Sequence, residues 1–507
     1  MGLRIEGEIE RVNGKELSYE SFVEKYLKKN QPVVLTGLMD DWRACRDWVK
    51  DDGQPNLQFF STHFGKSRVQ VADCCTREFT DQKRLEMSVS EFVDHWLEFS
   101  AGNCGDDVKC NKRSQSLWYL KDWHFVKEYP KYVAYTTPSF FLDDWLNLYL
   151  DTHSMHQHKD THHDKNDINC ADYRFVYMGA KGTWTPLHAD VFRSYSWSAN
   201  VCGKKLWLLL PPLQCHLIFD RNLKTSIYDV HGDISEIKFP GFSQAIWWEC
   251  TQEQNEIIFV PSGWYHQVHN LEDTISINHN WFNAYNLSWV WNLLLKDYKE
   301  AKEYIEDIRE ICDDFESLCQ RNLAANTGMN YYDLFIFIRR FALANLTLLH
   351  DLRKDENTFL CLSKAHILIS NLVSIREVAL RMVSAEAFAE ENLNRYSEGN
   401  LTALSDIKKI TDEPCFIELC TAISRTLETI GGVQAQYHKE RNQPIFSSEG
   451  KFEVFNDCGC IPCTPEDLVK MIDLFISDLS IHGKDFKFGL QSNICGSETF
   501  SIERVVL

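Results

Sequence analysis

What the chain lacks limits its possibilities first. No stretch offers the roughly 18 uninterrupted apolar residues that span a bilayer, and even "YYDLFIFIRRFALANLTLL" is split by Arg339 and Arg340. The opening "MGLRIEGEIERV" has no apolar core of leader length, and Glu6 stands where an N-myristoylation signal takes Ser or Thr. These absences predict a soluble, cytoplasmic protein with no membrane partner. Basic residues are in deficit, 53 Lys and Arg against 73 Asp and Glu, for a formal net charge of -20. Unaided binding to phosphate backbones needs clustered cations, so direct nucleic-acid binding is not expected and basic protein segments are the better partners.

Other devices are missing too. Eighteen cysteines are scattered through the chain without a leader, which favours reduced thiols over a disulfide framework. Cys458, Cys460 and Cys463 cluster, but no nearby Cys or His completes a tetrahedral zinc site. No internal repeat, zinc finger or chromatin-reader module is visible.

What is present is a chain of 507 residues, 44% hydrophobic, long enough for two or more packed units. Residues 1–116 read as an N-terminal helix and strand extension. In "LSYESFVEKYLKKNQPVVLTGLMDDW", Ser18 is a candidate N-cap, Phe22, Tyr26 and Leu27 recur at helical spacing, and Pro32 breaks the pattern before the strand-like "VVLTG". Residues 117–284 change to short apolar runs between turns, among them "LWYL", "YRFVYMG", "KLWLLLPP" and "TISINHNW", which predict a barrel or sandwich. Residues 285–507 carry apolar residues at three and four spacing and read as a helical C-terminal domain.

Four His-x-Asp pairs occur, and context separates them. His158/Asp160 and His162/Asp164 lie in "DTHSMHQHKDTHHDKND", a polar run with five histidines in which nothing apolar fixes geometry; His231/Asp233 lie in the polar "YDVHGDISE". His188 and Asp190 lie in "WTPLHADVFRSYSW", and residues two apart on a strand share a side, so both can face one metal. A third ligand is offered by His266 in the hairpin "FVPSGWYHQVHN". Two histidines and a carboxylate form the facial triad of non-heme Fe(II) oxygenases, with three of six positions left open. Lys204 and Lys205, at the start of the strand "NVCGKKLWLLLPP", need an anionic partner if buried, which a dicarboxylate would supply.

On "TPLHAD", "CGKKLWLLLPP" and "FVPSGWYHQVHNLEDTISINHNW", residues 117–284 resemble the jumonji-C domain of the Fe(II)- and 2-oxoglutarate-dependent oxygenases. That resemblance implies an α+β protein whose core is a double-stranded beta-helix, the cupin-like jelly roll. It implies His188, Asp190 and His266 as catalytic metal ligands. Lys205 and Thr185 are implied to grip the distal carboxylate of 2-oxoglutarate, with Tyr119 and Asn278 beside it; Ser198 stands where some relatives have asparagine. The cofactors implied are Fe(II), 2-oxoglutarate and O2. Within the family the likeness, extended by "LWYLKDWH" and "DYRFVYMG", is to lysyl hydroxylases. It implies a protein substrate with a target lysine, the eukaryotic peptide chain release factor of translation termination. The alternative is a histone N-methyl-lysine demethylase; the hydroxylases carry Asp at the second ligand, as at Asp190, while many demethylases carry Glu. The C-terminal helices leave both a homodimer and an intramolecular cover open.

Overall fold

The computed structural model describes residues 2–102, 116–152, 172–353, 358–393, 413–430 and 462–482. They divide into two compact units, one from residues 2–141 and 172–281, the other from 142–152 and 282–482.

The first unit is built on two sheets. A five-stranded sheet runs in the order β1 (Arg4–Glu8), β11 (Ile246–Gln252), β10 (Lys205–Leu210), β13 (Tyr265–Asn270), β8 (Trp184–His188). A nine-stranded sheet runs β2 (Arg11–Asn13), β3 (Val33–Thr36), β12 (Ile257–Val260), β9 (Tyr195–Cys202), β14 (Thr274–Trp281), β7 (Arg174–Gly179), β6 (Trp118–Trp123), β4 (Arg68–Glu78), β5 (Asp81–Ser88). Between β7 and β14 the chain passes repeatedly from one sheet to the other, the connectivity of a jelly roll.

The unbroken apolar run of β10 follows from burial on both faces. Trp207 and Leu209 join Val34, Ile258, Val260 and Val268 between the sheets. Leu208 and Leu210 face the other way, onto Ile218, Ile227 and Val230 of the long excursion between β10 and β11. Aromatic rings close the sandwich where the N-terminal helix meets the nine-stranded sheet: Phe22, Phe141, Trp197 and Phe259 pack with centroids 5.4 to 6.3 Å apart. Ser18 caps that helix by accepting from the Ser21 amide at 3.1 Å.

Strands β1 to β5 all come from residues 1–116, and they extend the two sheets instead of forming a layer of their own. The physical reason is plain in β3, whose Val33, Val34 and Leu35 are wholly buried and pair with β12.

The second unit is helical, with helices Leu287–Tyr304, Phe315–Thr327, Tyr331–Arg353, Thr358–Met382, Pro414–Ile430 and Pro465–His482. Arg339 and Arg340, which interrupt the apolar helix Tyr331–Arg353, are buried, and Arg340 is held by the Glu413 carboxylate at 3.1 Å. Among the described residues no helix is long and apolar enough to cross a membrane.

Candidate active site

The three residues of the proposed triad converge in the first unit. His188 ends β8 and His266 lies on β13 directly opposite it, with ring centroids 4.3 Å apart. Asp190 follows two residues later, at the start of a tight turn in which Phe192 and Arg193 adopt left-handed φ values of 54° and 52°. Such backbone costs energy in non-glycine residues and persists only where packing enforces it. Here the Phe192 ring is buried and the Arg193 guanidinium donates to the Tyr265 hydroxyl at 3.0 Å. The turn thus returns the chain into β9, where the Ser196 hydroxyl donates to Asp190 Oδ2 at 2.6 Å.

One ligand atom each of His188, Asp190 and His266 lies within 4.8 Å of the others, and among the described residues no other cluster of this kind occurs. Both imidazoles are oriented alike: Nδ1 of His188 lies 2.8 Å from the Pro186 carbonyl, and Nδ1 of His266 lies 3.1 Å from the Trp264 carbonyl. Donation from Nδ1 fixes the tautomer and leaves Nε2 as a lone-pair donor, the usual outer support of a metal-binding histidine. Burial, and then the neighbouring His266, hold the His188 ring below its ordinary pKa, which keeps that lone pair free. Two neutral nitrogens and one carboxylate could hold a divalent transition metal with positions to spare.

The other sequence candidates line the same cavity. Tyr119, Thr185, Lys205 and Asn278 surround it together with the triad, Tyr177, Ser196, Ser198, Trp207 and Asn280. Lys205 is 2% exposed, and its ammonium donates to Asn270 Oδ1 at 2.9 Å and to the Tyr119 hydroxyl at 3.1 Å. Burial pushes its pKa down to about 7, with Lys121 adding to the effect. An ammonium has three donors, so one remains for a ligand in the cavity. Two glycines set this corner. Gly203, at φ 75°, makes the turn into β10, where a Cβ would meet the Asp273 carbonyl oxygen at 2.1 Å. At Gly179 a Cβ would stand 2.6 Å from the Tyr119 ring, so its absence lets the phenol approach.

Lys204, the alternative lysine, points to solvent and pairs with Glu253 at 3.1 Å. Asn278 lines the cavity but donates sideways to Ser276 at 3.1 Å. His231 and Asp233 are exposed in the excursion between β10 and β11, where His231 lies against His269. His158, Asp160, His162, Asp164, Cys458 and Cys460 lie outside the described residues; Cys463 is half-buried and in no disulfide.

Sequence reasoning missed Asn270, Tyr177 and Ser196. Asn270 was within reach of it: it lies four residues after His266, hence on the same face of β13, and the pairing of β10 with β13 sets it opposite Lys205. Tyr177 and Ser196 depend on how separate strands meet, which spacing along one strand does not reveal.

Comparison with known proteins agrees with this architecture. The family described as Cupin-like domain matches residues 19–286, more than half of the chain. The chain belongs to the cupin-like, jumonji-C family. Among its relatives, Arginine-specific demethylase JMJ20 of Arabidopsis thaliana is 55% identical over 93% of this chain and 97% of its own length. The 2-oxoglutarate and iron-dependent oxygenase JMJD4 of Danio rerio is 39% identical over 68% of this chain and 77% of its own length. Its namesake in Homo sapiens is 31% identical over 78% of this chain and 89% of its own length. In this cupin-like chain, as the strand order shows, the two sheets bring the candidate residues together at their inner face.

Proposed function

We propose that this chain is an Fe(II)- and 2-oxoglutarate-dependent oxygenase that hydroxylates a lysine side chain of a protein, the eukaryotic peptide chain release factor. The observation that carries the oxygenase reading is the meeting of His188, Asp190 and His266 in one cavity with a buried ammonium that has a donor to spare. The donor set fits Fe(II): two histidine nitrogens with fixed tautomers and one carboxylate steadied by Ser196. Lys205 fits the distal carboxylate of 2-oxoglutarate, with Tyr119 and Thr185 beside it. When bound, iron would use the electrons of 2-oxoglutarate decarboxylation to activate O2 and convert a substrate C–H to C–OH, with release of succinate and carbon dioxide.

The chain's own task is to bind and aim. Lys205, whose amine burial leaves only partly charged near neutral pH in the free cavity, is held in its charged form as the dicarboxylate arrives, and the resulting buried ion pair fixes the cosubstrate's long axis. Tyr119, whose phenol burial keeps protonated, steadies that ammonium from the side. The acidic surface favours a basic substrate segment. The choice of lysine and of the release factor rests on family likeness. A second reading, removal of a methyl group from N-methylarginine, is favoured by the name of the Arabidopsis relative, an arginine-specific demethylase. It uses the same oxidation at a different carbon.

Intact-mass analysis separates them. Purified protein is incubated with Fe(II), 2-oxoglutarate and air, once with recombinant release factor and once with an N-methylarginine peptide. A gain of one oxygen on a release-factor lysine supports hydroxylation, whereas loss of a methylene from the peptide with formaldehyde formation replaces it by demethylation.

A further inference from the structure

Next to the triad lies a second cavity, which Lys205 does not line. It runs between β6, β7 and the turn joining β4 to β5, and it shares Tyr177, Thr185, His188, Asp190 and Asn280 with the first. Its own charged residues are Asp81, Arg84, Lys121 and Asp122.

Three of these four satisfy one another. Arg84 donates to Asp122 Oδ2 at 3.0 Å and to Asp81 Oδ2 at 3.2 Å, and the Tyr177 hydroxyl donates to Asp122 Oδ1 at 2.7 Å. Asp122 sits at φ 58°, where the pairing of β6 with β7 is irregular, a backbone that aspartate tolerates better than most residues.

Lys121 differs. It is 2% exposed, and its ammonium has a single hydrogen-bond partner, Gln82 Oε1 at 2.9 Å, with the Tyr119 ring centroid 5.1 Å away. Two of its three donors are therefore unspent. Burial and then Arg84 lower its pKa to about 8, as expected of an amine with too little acceptor and negative charge around it. A charged lysine or methylguanidinium target has donors only and cannot use those N–H groups; a peptide backbone has carbonyl oxygens that can.

We propose that Lys121 is a specificity-determining residue that donates a hydrogen bond to a main-chain carbonyl of the polypeptide substrate when the target side chain occupies the second cavity. This rests on the oxygenase reading above and adds to it a contact made to substrate and not to 2-oxoglutarate. Lys205 and Lys121 then divide the work around Tyr119, their ammonium groups 5.6 and 5.1 Å from its ring centroid.

The test measures steady-state kinetics of wild type, Lys121→Met and Lys121→Gln with the release factor, beside the KM for 2-oxoglutarate and succinate formation without substrate. Lys121→Met should raise the KM for the release factor about tenfold at unchanged kcat, the loss expected for one hydrogen bond to a charged group. Lys121→Gln, which keeps a donor, should raise it less. Both should leave the 2-oxoglutarate KM and substrate-free turnover within about twofold of wild type. An unchanged KM for the release factor overturns the assignment. So does an equal shift in the 2-oxoglutarate KM and in substrate-free turnover, which marks a lysine that only supports the fold. Should wild type turn over 2-oxoglutarate yet leave the release factor unmodified, the substrate reading fails separately. The same kinetics then pass to the N-methylarginine peptide, where absence of a Lys121 effect on KM overturns the proposal. Absence of any 2-oxoglutarate turnover overturns both.

Discussion

Two cavities meet at the triad, and each contains a lysine buried to the same degree, 2% exposed, with its ammonium near the Tyr119 ring. Their surroundings differ. Lys205 has two neutral oxygen partners and no carboxylate among its hydrogen bonds, so a dianion is what its cavity lacks. Lys121 has one neutral partner and a cation nearby, beside acids already taken by Arg84 and Tyr177. The comparison teaches that burial alone does not assign a lysine; the count of unspent donors and the neighbouring charge do.

The largest effect tests what both cavities share. Replacing His188, Asp190 or His266 with Ala should lower succinate formation from 2-oxoglutarate by at least about a thousandfold, because two remaining ligands hold the metal poorly. Circular dichroism should show the sheets retained. Next, Lys205→Met should raise the KM for 2-oxoglutarate about a hundredfold, or about 3 kcal/mol, as expected when one partner of a buried charge pair is removed. The Lys121 variants should leave that constant alone, and an equal response would erase the distinction between the cavities.

A smaller effect is on pH. Because the free Lys205 amine is lowered to about 7, it is charged below that pH and loses its proton as pH rises. The bound dianion needs the charged form, so the KM for 2-oxoglutarate should climb above pH 7 by up to about tenfold per unit. Lys205→Arg, with a permanent charge, should flatten the climb. The smallest effect should come from Ser196→Ala, which removes only the hydroxyl donating to Asp190; Fe(II) affinity, measured by equilibrium dialysis, should fall about tenfold.

Much of this was legible in the sequence because the decisive residues stand two or four apart on single strands. His266 and Asn270 are such a pair on β13; Asp190 stands two after His188, just past the end of β8, where its extended backbone keeps it on the same side, and the Gly-Lys-Lys turn into β10 marks Lys205. The Ser18 cap and the break before β3 were legible for the same local reason. What spacing does not contain is the meeting of strands far apart in the chain. Lys121 illustrates this: it follows Tyr119 by two residues on β6, yet its importance comes from Gln82 on β5 and Arg84 beyond it. The register that sets residues 1–116 into both sheets was hidden likewise, since pairing partners such as Val34 and Ile258 lie more than 200 residues apart.

The most direct test of the account measures Fe(II)- and oxygen-dependent succinate formation across a range of 2-oxoglutarate concentrations for wild type, Lys205→Met and His188→Ala. The account predicts turnover in wild type, turnover in Lys205→Met that returns as 2-oxoglutarate is raised, and none in His188→Ala at any concentration. Turnover by His188→Ala that equals wild type would contradict it, because the triad would then not be where the metal is held.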